Sequence, residues 1–220
     1  MILQVSKAAT IDRPDEPERR ALADHFAARH WTRLTGVLAP ALLADVQARV
    51  ARAEFVERVH TNVHPPSIDL SMVPNAASAL LELAFNDPAV FRVVEAVTGC
   101  RPIARFGGFI YRLSPEYGHQ HHWHNDLVEG RLVAMSVNLG PGTYEGGLLE
   151  FRDRASETIL DRASNTQPGD ALLFRIDAAL QHRASAVTAG VKTAFAGWFF
   201  GDQPYPARLR DLAGRPAPIK

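Results

Sequence analysis

The sequence predicts an antiparallel all-β core, a sandwich or barrel, with helices covering one side. Three observations lead there. The chain has 220 residues, enough to bury one sizeable core. Up to Gly99 its apolar residues recur at helical spacing. After Gly99 it becomes a series of short strand-like runs cut by turn residues, the pattern of antiparallel sheets.

Taken in order, residues 17–30 place Ala21, Leu22, His25 and Phe26 at helix-like spacing behind a charged lead-in. Leu34 to Leu38 reads as a short strand. A second helix is expected from Pro40 to Phe55, with Leu42, Leu43, Val46 and Val50 on one face. Residues 60–74 read as a loop, because Pro65-Pro66 suits neither a helix interior nor a central strand. A third helix is expected over residues 76–85. Asp87-Pro88 then supplies an N-cap and a preorganised first turn for a fourth, which Gly99 stops.

Strands are expected at 103–113, 132–139, 147–152, 171–175, 182–187 and 192–200. Pro141-Gly142, Gly146-Gly147, Pro168-Gly169-Asp170 and Ala189-Gly190 punctuate them. The chain is thus read as one domain, 1–220. Residues 1–100 form a mainly helical lead-in, 101–200 the β core and 201–220 a tail.

Composition narrows the function. Formal net charge is zero, so no global positive field draws the chain to nucleic acid or to anionic lipid. A single cysteine, Cys100, rules out an internal disulfide and a cysteine-based zinc cluster, and fits a reducing compartment. The start lacks the basic-then-apolar pattern of a signal peptide, and no apolar run approaches the roughly 20 residues a membrane span needs. A soluble, cytoplasmic protein is expected.

The chemistry gathers around residues 119–124, which hold four of the nine histidines. His124 and Asp126 are two apart, so on an extended backbone both face one side. Alone, such a pair is weak evidence and fits a polar strand end. Two histidines and one carboxylate on one face of an octahedron, leaving positions open, is the oxygen-activating arrangement of non-haem Fe(II). His182, opening a later strand, fits as the second histidine. Lys192 adds weight. It lies in the apolar run VKTAFAGWFF of a chain with only three lysines, and a buried ammonium needs an anion or a route to solvent. A dicarboxylate cosubstrate would supply the anion.

With YRLSPEYGHQHHWHND, RLVAMSVNLG, EGGLLEF, PGDALLF and the His182 to Lys192 spacing, the chain resembles the Fe(II)/2-oxoglutarate-dependent oxygenase superfamily, and most of all its prolyl 4-hydroxylase-like branch. The resemblance covers about residues 104–200. It implies a double-stranded β-helix, or jelly roll, flanked by helices. It also implies Fe(II), 2-oxoglutarate as cosubstrate, and O2. Carried over, His124, Asp126 and His182 match the iron ligands, Lys192 the cosubstrate anchor and Tyr111 a tyrosine that often touches the cosubstrate. The implied outcome is hydroxylation of an unactivated C–H bond of a small molecule or amino-acid-like substrate, with release of succinate and CO2. Asp126 disfavours halogenation, since the family's halogenases lack that carboxylate.

Two rivals stand beside this reading. A cupin-type site would use His122, His124, Glu129 and His182 without a keto acid, although Ser136 replaces the glycine of that motif and Lys192 is left unexplained. A non-catalytic jelly-roll binding module is the other. His119, His121 and His122 are expected to be mostly a solvated loop cluster, Trp123 to face away from the metal, and Trp198 to belong to the core. Arg131, Arg175 and Arg183 are open between an acidic substrate and solvent. Specificity is expected from residues 60–74, with His60, Asn62 and His64, and from residues 113–121 and 154–167.

Overall fold

A computed structural model describes residues 2–13, 15–61, 63, 65–164 and 166–202. Most of the expected tail, and Asn62 and His64, lie outside them. The helical half opens with a hairpin that the sequence did not signal, β1 (Leu3–Val5) with β2 (Thr10–Asp12), followed by α1 (Glu16–Arg29). Asp15 caps α1 by accepting from the Glu18 amide, and His30 ends it in the left-handed region. Next come β3 (Trp31–Leu34), α2 (Pro40–Val50), β4 (Phe55–His60) and β5 (Ser67–Met72). The helices α3 (Ala76–Phe85) and α4 (Pro88–Thr98) lie where expected, with Asn75 and Asp87 as N-caps and Gly99 as left-handed C-cap.

The β half runs β6 (Arg105–Leu113), β7 (Arg131–Asn138), β8 (Glu145–Gly146), β9 (Leu149–Asp153), β10 (Ile159–Ala163), β11 (Ala171–Arg175), β12 (Leu180–Ala184), β13 (Val187–Ala189) and β14 (Lys192–Phe200). One seven-stranded antiparallel sheet has the order β3-β11-β7-β14-β6-β5-β4. Facing it are a three-stranded sheet, β10-β9-β12, and the pair β13-β8. This is the mainly β, helix-flanked jelly roll expected from the sequence.

Four expectations change. Residues 60–74 are not one loop: β4 and β5 pair as a hairpin from Phe55↔Met72 to His60↔Ser67, and the two prolines sit at its tip, where no ladder hydrogen bond is needed. The second helix stops at Val50, where Arg112 donates to the last carbonyl, and Phe55 begins a strand. The first short strand is Trp31–Leu34, ahead of the expected Leu34–Leu38, because Trp31 to Leu34 pair with β11. Residues 154–167 contain β10, so they are not a free mouth loop.

Both faces of the large sheet are buried, and this positions the site. Along β14, Phe195 and Phe199 join the core under the helices with Leu81, Phe85, Val90 and Val94. The alternate residues Lys192, Ala194, Ala196 and Trp198 face the small sheets. On β7 the corresponding positions are Ala134 and Ser136, and on β6 Phe109 and Tyr111. Small side chains on the two central strands leave space between the sheets. The strands themselves sit unusually close at Gly197, where an added Cβ would lie 2.3 Å from the Gly107 carbonyl oxygen.

Candidate metal centre

Between the sheets lies a cavity of about 400 Å³. His182 enters it from β12, on the same face as Leu180 and Ala184. His124 is not on a regular strand. It is held by a two-hydrogen-bond bridge in which the His124 amide donates to the His182 carbonyl (3.1 Å) and the His182 amide to the His124 carbonyl (2.8 Å). The chain through Asp126, outside any regular element, then brings that carboxylate to the same point. His124 Nε2 lies 3.7 Å from Asp126 Oδ1, and His182 Nε2 lies 3.3 Å from Asp126 Oδ2.

This donor set fits an iron(II) ion. The three ligand atoms lie within 4.8 Å of one another. Neighbouring ligands about 2.1 Å from one metal are separated by roughly 3 Å, close to the two spacings found. The protonation states also suit ligation. His124 Nδ1 lies 2.7 Å from the His122 carbonyl, which only accepts, so Nδ1 carries the hydrogen and Nε2 presents its lone pair. Burial and the neighbouring His182 lower the His124 pKa to about 4, keeping the ring neutral. Burial alone would raise the Asp126 carboxyl, but contacts with His182, His124 and Trp198 outweigh it and hold the group below the usual carboxylate range.

Two residues that sequence reasoning left aside support Asp126. Trp198 Nε1 donates to Asp126 Oδ2 at 2.7 Å. The Arg131 guanidinium sits over the Trp198 ring, its Cζ 3.6 Å from the centroid, and its Nη1 is 3.6 Å from Asp126 Oδ1. Strand parity was the available signal, because Trp198 is six residues from Lys192 and so shares its face.

Lys192 is buried, and no ion pair among the described residues involves it. Its Nζ donates to the Gly147 carbonyl, and Tyr144 lies beside it, 5.9 Å from ring centroid to ammonium. Burial lowers its pKa to about 8. A buried, uncompensated ammonium in the cavity wall is a ready anchor for an anion. Tyr111 is buried in the same wall, and burial pushes its hydroxyl well above the usual phenol range. Tyr144 was also missed, and burial raises it to about 12.

The remaining expectations divide. Trp123 does face away, packing against Arg152 and Arg183, whose guanidinium carbons lie 4.7 and 4.5 Å from its ring centroid. The histidine cluster is not solvated: His119 is buried and stacks on Tyr117, while His121 is part-buried and reaches Asp69. Glu129 is exposed and falls outside both histidine–aspartate groups able to hold a metal among the described residues, so the cupin set is not assembled. Arg175 packs over Phe26, and Arg183 pairs with Glu150. Neither lines the cavity, whereas Arg131 does.

Fold and site together define a jelly-roll protein with two imidazoles and a carboxylate facing an internal cavity. Comparison with known proteins agrees. Residues 110–200 match the family model described as the 2OG-Fe(II) oxygenase superfamily. No curated protein matches the chain in sequence. Among solved structures, a 2OG-Fe(II) oxygenase family oxidoreductase from Burkholderia pseudomallei superposes with a TM-score of 0.62 at 14% identity, covering 91% of this chain and 97% of its own. A Pseudomonas putida prolyl-4-hydroxylase gives 0.61 at 18%, covering 84% and 100%. SnoN, a non-heme alpha ketoglutarate dependent epimerase from nogalamycin biosynthesis, gives 0.63 at 18%, covering 94% of each. At these identities the structures speak for the fold, which is that of the family model. Residues 110–200 are thus similar to the 2OG-Fe(II) oxygenase superfamily, a family that uses Fe(II), 2-oxoglutarate and O2. Among the described residues no helix is long and apolar enough to cross a membrane.

Proposed function

We propose that the protein is an Fe(II)- and 2-oxoglutarate-dependent dioxygenase that hydroxylates an unactivated C–H bond of a small-molecule or amino-acid-like substrate. One observation carries the reading: His124, Asp126 and His182 converge in the same cavity as a buried ammonium, Lys192, that has no carboxylate partner among the described residues. His124, Asp126 and His182 hold the iron. When bound, iron, 2-oxoglutarate and O2 supply the oxidising power that yields succinate and CO2 and hydroxylates the substrate.

The protein's part is binding and orientation. Trp198 and Arg131 fix the Asp126 carboxylate, and the His122 carbonyl sets the His124 tautomer. Lys192 takes the distal carboxylate of 2-oxoglutarate, and Tyr111 lines the same wall. Leu172 and Phe174 on β11 and Leu149 on β9 of the facing sheet line the rest of the cavity with apolar surface that excludes water. A volume of about 400 Å³ lies within the roughly 300–1,000 Å³ of small-molecule sites and has to hold cosubstrate and substrate together, which favours a small substrate.

The test is succinate formation from Fe(II), 2-oxoglutarate and air in the presence of candidate substrates. Activity is expected from the wild type. It should be lost in His124→Ala and Asp126→Ala, and should need far more 2-oxoglutarate in Lys192→Ala. Undiminished succinate from the two ligand variants would refute the assignment.

A further inference from the structure

A second polar cluster faces the same cavity. Asp69 on β5 has no exposed surface, yet three donors, two from β4 and one from the stretch after β6, converge on its Oδ2. His60 Nε2 lies at 2.8 Å, Arg58 Nη2 at 3.1 Å and His121 Nε2 at 3.1 Å. Burial would raise this carboxyl, but the two histidines and the Arg58 charge outweigh it and keep Asp69 ionised. Burying a carboxylate in a hairpin wall is costly, so what it holds in place matters. It holds Arg58, His60 and His121, all of which line the cavity, while Asp69 stands behind them.

Among the described residues Arg58 is engaged by one edge only. Its Nη2 donates to Asp69, its Nε lies 3.1 Å from His60 Nε2, whose hydrogen already goes to Asp69, and its Cζ is 4.0 Å from the Phe109 ring centroid. These contacts fix the guanidinium and leave its end-on edge, Nη1 with the second Nη2 hydrogen, for a ligand. That edge matches a carboxylate in a two-point contact. Arg58, Arg131 and Lys192 in the cavity lining face the Asp126 carboxylate and, behind the wall, the Asp69 carboxylate that pairs with Arg58, which leaves a surplus of one positive charge. Adding Fe(II) and the 2-oxoglutarate dianion leaves that positive surplus unchanged. A second metal on His60, Asp69 and His121 is disfavoured by Arg58, whose cation already sits on the Asp69 oxygen.

Resting on the oxygenase reading above, we infer that Arg58, oriented by Asp69 and flanked by His60 and His121, is the docking point for the substrate's own carboxylate, so that the substrate is a small free acid of amino-acid type. The polar group anchors on the β4–β5 hairpin wall, and the carbon chain extends past Phe109 toward the iron ligands.

The test uses protein loaded with Fe(II) and 2-oxoglutarate under nitrogen, titrated calorimetrically with the proteinogenic L-amino acids and with their C-terminal amides. At least one free acid should bind, and its amide should bind roughly ten- to a hundredfold more weakly, the worth of a charge-assisted hydrogen-bond pair. Arg58→Gln should weaken the acid by a similar factor, Arg58→Lys should recover part of it, and the 2-oxoglutarate Kd should move far less in both. Thermal unfolding of each variant verifies that it is folded. Acid and amide binding alike, no acid binding, or an unchanged acid Kd in folded Arg58→Gln would each overturn the subsite while leaving the oxygenase reading intact. So would two metal ions per wild-type chain, by giving the cluster to a cation. If 2-oxoglutarate itself fails to bind, the oxygenase reading falls and takes the subsite with it.

Discussion

Replacing Lys192 with methionine separates what this residue costs the fold from what it gives to ligand binding. In the folded protein burial lowers its pKa from 10.5 to about 8. Between those values the unfolded chain holds the proton more strongly, so stability rises with pH across the window. The contribution is fully present above about 10.5 and is lost as pH falls through about 8. A gap of about 2.5 units at 1.36 kcal/mol each amounts to about 3 kcal/mol, of which about 2 kcal/mol falls between pH 7.5 and 9.5. Lys192 is only 9% exposed, so solvent screening offers little relief. Urea unfolding of wild type and Lys192→Met at those two pH values isolates the lysine's contribution, because every other titrating group is common to both. The wild type should gain about 2 kcal/mol more than the variant on raising the pH. The Gly147 carbonyl loses its donor in the variant, at a cost of roughly 1–3 kcal/mol, but that cost does not depend on pH. Saturating 2-oxoglutarate should flatten the wild-type slope and leave the variant's unchanged. Equal slopes for the two apo proteins would refute the claim that a buried, uncompensated ammonium waits there for an anion.

Other outcomes follow from the same geometry. Trp198→Phe keeps the ring under Arg131 but removes the donor to Asp126 Oδ2, and should weaken Fe(II) binding about 10- to 100-fold in chelator competition. Gly197→Ala forces a Cβ to 2.3 Å from the Gly107 oxygen and should lower the urea midpoint by an amount worth roughly 1–3 kcal/mol, with the m-value unchanged. Ala196→Leu fills the cavity floor between Phe109 and Trp198. It should abolish substrate-stimulated succinate formation with a loss of stability no larger than that of Gly197→Ala, measured by the same unfolding assay.

Much of this was legible in the sequence where a local rule operates. The helix Pro88–Thr98 follows from Asp87, Pro88 and Gly99, each acting within one turn. The strand Lys192–Phe200 follows from an unbroken apolar run buried on both faces. The three ligand candidates were readable from the identity and spacing of His124, Asp126 and His182 within a family pattern, and the fold brings them together. The hairpin of β4 and β5 was not readable, because its prolines dominate the local signal while its pairing is decided by Leu70 and Ser71 docking on β6. Asp69 was invisible for the same reason: its partners Arg58 and His60 come from β4 and His121 from the stretch after β6, gathered only by the β4–β5 pairing and the bridge between Ile68 and Gln120. Trp198 was assigned to the core by residue type, although strand parity already put it on the face of Lys192.

The most direct test of the central claim is an anaerobic titration of Fe(II)-loaded protein with 2-oxoglutarate, followed by visible absorption. One iron per chain and a metal-to-ligand charge-transfer band saturating at one equivalent are expected for the wild type. Asp126→Ala should bind no iron, and Lys192→Met should form the band only at much higher 2-oxoglutarate. A wild type that binds iron but develops no band, or an Asp126→Ala variant that gives the same band, would contradict the assignment of this cavity to iron and 2-oxoglutarate.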